Sequence, residues 1–180
     1  NNLLLKLVDD MIDLSEIESG DLFFDYMGFD LNNLLEEIEQ LTKLKILSEE
    51  KIIDVILEKG ADSCFMYSDN RRLKQIFTNL INNAVKFTRE GNITLGYRRK
   101  KNVIDFYVKD TGQWIPKNRI DNIFVRFVKL DEFGQGTGIG LSICKIIVDK
   151  MGGEIGVESI ENVGSTFWFT IPYTPFTPSV

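Results

Sequence analysis

Apolar residues recur three and four positions apart at the start of the chain, at Leu4, Leu7, Val8, Met11, Leu14 and Ile17. That period lays one stripe along a helix. Gly20 is placed to stop it, since glycine takes the backbone conformation that ends helices. The stripe has no start signal beyond Asn1 and Asn2, so the segment reads as the end of a longer helix. Further helical stretches are "DLNNLLEEIEQLTKLKIL", with Asp30 as its cap, and "DNRRLKQIFTNLINNAVKFT", opened by Asp69. The last is "GIGLSICKIIVDKMGG", which stops at Gly152 and Gly153.

Between the helices the pattern changes to strands: "DLFFDYMGF", "KIIDVILE", "SCFMYS", "NITLGYRRK", "VIDFYVKD", "EIGVESI" and "STFWFTIP". The two strands around Lys101 and Asn102 read as a hairpin, and so do the last two. Residues 111–136 are glycine-rich and irregular, too long for an ordinary connection and therefore a functional or mobile loop. The ending "YTPFTPSV", with Pro175 and Pro178, reads as a linker or tail. Many strands lie only a turn apart, which parallel pairing does not allow. The expected fold is therefore α+β: a two-layer α/β sandwich, a mixed sheet packed on about three helices, rather than a doubly wound parallel sheet.

Composition adds exclusions. The 180 residues are 43% hydrophobic, enough for a folded core, and carry a net charge of -6. That balance argues against a nucleic-acid face. Cys64 and Cys144 have no metal-site spacing and suit a reduced cytosolic chain. No apolar run approaches the roughly 20 residues that span a bilayer, and no signal peptide opens the chain, so any membrane anchor would lie outside these residues. There is no histidine, which excludes a histidine base, ligand or phosphoacceptor among these residues.

Two stretches carry candidate chemistry. At about 100° per residue, Gln75, Asn79, Asn83 and Lys86 line one side of a helix whose other side is apolar. The stripe fits a solvated face. It equally fits a Mg-nucleotide, since an amide oxygen suits Mg²⁺ and a lysine meets phosphate as a point charge. In "FGQGTGIGLS" a glycine stands at every second position before a helix begins. That is a phosphate cradle, with free N–H groups and the helix dipole behind it, or a flexible hinge. The spacing is neither a P-loop nor a dinucleotide fingerprint.

In order along the chain, these segments resemble the ATP-binding catalytic domain of sensor histidine kinases, which is related to the ATPase domains of gyrases and certain chaperones. "LKQIFTNLINNAVKFT" is similar to the asparagine box and "VKDTGQWIP" to the first glycine box. "IFVRFVKLD" is similar to the phenylalanine box, "GTGIGLSICKIIVDKMGGEI" to the second glycine box and "GSTFWFTIP" to the closing strand. "LLLKLVDDMIDLSEIESGDL" looks like the end of the second dimerisation and phosphotransfer helix, the first helix and its histidine being absent. The resemblance implies three parts: that helix over residues 1–20, the ATP-binding domain over 21–173 and a linker or tail over 174–180.

It also implies roles. Asn83 would bind Mg²⁺, with Asn79 beside it at phosphate or metal, Lys86 on phosphate and Phe87 near the adenine. Asp110 would accept from the adenine amino group, and Gly112 would let backbone approach the base. Ile115 and Leu141 would line the pocket, and Phe124 and Phe127 would anchor the lid. Gly136, Thr137, Gly138 and Gly140 would surround the phosphates. Arg126 and Lys129, with Asn79 and Lys86, would stabilise the transferring phosphoryl group, and Thr166 would assist Asp110 through a water. The implied reaction moves the ATP γ-phosphoryl group to a histidine on the absent helix, in the same chain or a dimer partner. The implied setting is a cytoplasmic domain of a homodimeric, inner-membrane-anchored parent whose partner is a response regulator receiver domain, with no nucleic acid involved.

One residue departs from the family pattern. Trp114 stands where a second glycine is usual, and a positive φ there would strain a tryptophan. The alternative reading is a domain of the same fold with weakened or lost catalysis, acting as an interaction module. A same-fold anti-sigma kinase is disfavoured by the leading helix. An aspartic protease needs two such aspartates, and only one Asp-Thr-Gly is present.

Overall fold

The computed structural model describes residues 2–128 and 137–178. The elements run α1 (Asn2–Ser19), β1 (Met27–Asp30), α2 (Leu31–Ser48), β2 (Ile52–Glu58), β3 (Phe65–Ser68) and α3 (Asn70–Phe87). There follow β4 (Glu90–Arg99), β5 (Val103–Asp110), the short α4 (Lys117–Ile120), α5 (Gly140–Lys150), β6 (Ile155–Ile160) and β7 (Gly164–Pro172). The main sheet has five strands in the order β2-β4-β5-β7-β6. Only β2 and β4 pair in parallel; the other neighbours are antiparallel. This is the α+β mixed sheet that the strand spacing predicts.

Alternation builds the core. In β5, Ile104, Phe106, Val108 and Asp110 are buried, and in β7, Ser165, Phe167, Phe169 and Ile171 are buried, so both strands turn the same period-two face to the helices. Phe106 and Phe169 stack with centroids 4.7 Å apart. Phe77 of α3 meets both edge-on, at 5.7 and 5.4 Å, an arrangement aromatic quadrupoles favour. This contact fixes α3 across the centre of the sheet, beside the end of β5.

The helix caps agree with the sequence. Asp30 accepts the Asn32 N–H at 3.0 Å, and Asp69 accepts the Arg72 N–H at 2.9 Å. The other Asp69 oxygen accepts the Asp25 N–H at 2.7 Å, and Arg72 donates to the Phe23 carbonyl. These side chains replace a ladder for residues 20–26, so the expected strand "DLFFDYMGF" forms only from Met27. Beyond α3, the Lys51 ammonium bonds the Val85 carbonyl, a cation on the carbonyl end of the helix.

The expected tail is also partly ordered. The Tyr67 N–H donates to Thr174 O at 2.8 Å, the Phe176 N–H donates to Phe65 O at 3.3 Å, and Pro175 bridges Met66. Residues 174–176 thereby lie along β3 in the small sheet that β3 forms with β1. No helix among the described residues is long and apolar enough to cross a membrane.

Candidate functional site

The end of β5, the loop after it and the last turn of α3 enclose a cavity of about 50 Å³. Asn83 and Phe87 reach it from α3, Asp110 from β5, Trp114, Ile115, Pro116 and Arg119 from the loop and α4, and Ser165 and Phe167 from β7. Asp110 and Ser165, far apart in sequence, thus share one wall because β5 pairs with β7 in the register Asp110 to Ser165.

Asp110 is 4% exposed. Its carboxylate accepts the Gly112 N–H at 2.9 Å, and the Ser165 backbone also bonds it. Burial pushes its carboxyl up from 3.8 to about 6, and the two backbone donors pull the other way. An ionised carboxylate is acceptor-only, with about four lone-pair positions. Two backbone donors leave acceptor capacity turned to the cavity. A ligand that donates a hydrogen bond there would satisfy it.

The loop around Asp110 is held by backbone contacts. The Gln113 N–H donates to Phe87 O at 3.0 Å, and the Ile115 N–H donates to the Ser159 hydroxyl at 2.7 Å. A side chain at Gly112 would sit 2.5 Å from the Phe87 carbonyl. Gly112 therefore lets the loop close on the end of α3. Trp114 is absent from the positive-φ residues, so the strain anticipated at this position does not arise.

Thr166 does not belong to the pocket. It pairs with Lys109 on the opposite face of the sheet, while Ser165 and Phe167 face the cavity; one residue along a strand reverses the face. Leu141 is buried at the start of α5 but is not in the cavity wall. Lys86 is exposed, its ammonium 5.0 Å from the Phe87 ring centroid. Phe124 packs against the core, whereas Phe127 is 69% exposed with φ 65°.

The glycine segment ends beside α3. Asn79 donates to Gly140 O at 3.3 Å. Gly138, at φ 70°, accepts the Phe127 N–H at 2.9 Å. Thr137 and Arg126 are engaged by α1: the Thr137 hydroxyl donates to Asp10 at 2.8 Å, and Arg126 pairs with Glu18 at 3.0 Å. The same helix meets α3, where Arg72 pairs with Asp13 and Glu16 and Gln75 donates to Asp13. Lys129 and Gly136 lie outside the described residues.

Among the described residues no cluster of three or more acidic, cysteine or histidine ligands exists. Asn83 and Asn79, neutral oxygen donors one turn apart on α3, suit Mg²⁺ bound chiefly through substrate phosphates and water. The sequence did not point to Ser159, Ser165, Phe167 or Arg119; the alternation in "STFWFTIP" marks its inward residues, but only strand register brings them to Asp110.

A profile of the family described as histidine kinase-, DNA gyrase B-, and HSP90-like ATPase matches residues 68–175. The hybrid signal transduction protein dokA of Dictyostelium discoideum is 36% identical over 98% of this chain and 11% of its own length. The signal transduction histidine-protein kinase BarA of Escherichia coli K12 is 36% identical over 94% of this chain and 19% of its own. The chain thus spans a fifth or less of these curated relatives. Among solved structures, full-length ShkA in complex with AMPPNP is 29% identical with a TM-score of 0.88, covering 97% of this chain and 37% of that one. The catalytic domain of the histidine kinase ThkA is 35% identical with a TM-score of 0.74, covering 84% of this chain and 97% of that one.

Proposed function

This chain belongs to the histidine kinase-, DNA gyrase B-, and HSP90-like ATPase family, and from that premise we propose that it binds Mg-ATP and donates the γ-phosphoryl group to a histidine on another segment or subunit. The observation that carries this reading is the buried Asp110 carboxylate, with acceptor capacity facing a cavity that also holds Asn83 and Phe87. The adenine amino group is the donor that such an acceptor selects.

In the reaction the bond from phosphorus to the β–γ bridging oxygen breaks, its electron pair leaves with ADP, and a phosphorus–nitrogen bond forms to imidazole. Catalysis of this kind is mostly positioning and charge stabilisation. Asp110 and Phe87 orient the base. Asn83, with Asn79 beside it, would hold Mg²⁺, which when bound neutralises phosphate charge. Thr137, Gly138 and Gly140, with Gly136, surround the phosphates. Lys86, Arg126 and Lys129 stabilise the transferring group, and Arg126 must leave Glu18 to do so. The chain has no histidine, so the accepting imidazole comes from elsewhere, and a response regulator receiver domain is the downstream acceptor. A solved relative, ThkA, was captured in complex with the response regulator protein TrrA, which supports that assignment of partner.

The test supplies labelled Mg-ATP with and without a separate histidine-bearing phosphotransfer polypeptide. Acid-labile label is expected on that polypeptide alone and only when both are present. Nucleotide binding indifferent to both Asp110→Asn and Asn83→Ala would overturn the site.

A further inference from the structure

The cavity at Asp110, about 50 Å³, has room for a few waters at roughly 10–15 Å³ each, and it is open to solvent on one side. A base that enters it lies against the residues of its walls. Asp110, Ile115, Ser165 and Phe167 are buried, most of them within paired strands. Phe87 is held by the end of α3, where Gln113 bonds its carbonyl. Trp114 is the large apolar wall residue that is open to solvent, at 39% exposure. Its indole takes part in none of the ring pairs among the described residues.

The backbone on both sides of Trp114 is fixed, through Gln113 to Phe87 and through Ile115 to Ser159. Motion here is therefore rotation of the side chain, not of the loop. We propose that Trp114 is a positioning residue for the base: its indole, free to rotate on a fixed backbone, stacks on the face of the bound base. This rests on the nucleotide reading above. A flat aromatic surface stacks on any base through its π face. Trp114 would therefore supply affinity without base selectivity, and Asp110 would supply the selectivity.

The experiment titrates wild type, W114A and W114F with ADP and with adenosine, by calorimetry and by tryptophan emission. W114A is expected to weaken both ligands by the same factor, about tenfold, and W114F to stay within about threefold of wild type. Nucleotide should quench emission in wild type and not in W114F, where only Trp168 remains. Wild-type binding with W114A equal or tighter overturns the stacking role and leaves the nucleotide site standing, and so does a quench that persists in W114F. Absence of binding by all three proteins overturns both readings.

Discussion

The two ends of the candidate site are built differently. At the base end, Asp110, Ser165 and Phe167 lie on adjacent central strands, and backbone N–H groups hold the carboxylate and the loop after it. At the phosphate end, Thr137 and Arg126 are held by side chains of α1, through Asp10 and Glu18. The base end is a product of the fold itself. The phosphate end is set by a helix that contributes nothing to the sheet. On the proposed reading, recognition of the base would be fixed in place, while the groups assigned to phosphate would be exchanged between an acidic helix and an anionic ligand.

The largest expected effect tests how far the base end is committed to its carboxylate. Asp110 rises to about 6 on folding from 3.8. A raised carboxyl favours the protonated folded state, so this contribution to stability is complete below about pH 4 and is lost as pH rises through about 6. The step is roughly 3 kcal/mol. The difference in stability between wild type and Asp110→Asn, followed by denaturant melts across that range, should show it. Nucleotide binding should run the opposite way, weakening as pH falls below about 6, because the neutral carboxyl is the poorer acceptor.

Next, Asp110→Asn at neutral pH should weaken ATP by about 100-fold, the loss of a hydrogen bond to a charged group. Calorimetric titration reads it, and a loss under threefold would break the base end as described. Gly112→Ala should lower stability by about 2 kcal/mol, because its methyl would overpack against the Phe87 carbonyl; the midpoint of a melt checks it. The smallest effect sharpens the contrast. Asp10→Ala frees Thr137 and should tighten ATP by about fivefold, the worth of one net hydrogen bond, with adenosine unchanged. A parallel change for adenosine would show that the two ends are not separate.

Much of the fold was legible locally. The stripe of Phe77, Leu80 and Ala84 identifies the buried side of α3, and the opposite stripe places Asn79 and Asn83 on its polar side, because helical period is a short-range property. Asp30 and Asp69 announced their caps for the same reason. What was not legible depends on distant pairing. Thr166 is the residue the resemblance sets beside Asp110, and only the register of β5 with β7 decides between faces that differ by one residue. The strand expected from Asp21 gave way to side-chain partners on α3 that no local pattern reveals. Thr137 and Asp10 are 127 residues apart, so the hold of α1 on the glycine segment has no sequence signature.

The place of β5 in the sheet has a consequence in time. It is the third of five strands, paired along both edges, so its amides are released only when the sheet opens as a whole. The pocket around Asp110 then persists for as long as the molecule stays folded. The grip of Asp10 on Thr137 involves no backbone ladder and can be broken and remade on the timescale of side-chain rotation. One end of the site keeps the clock of unfolding, and the other keeps the clock of a rotamer.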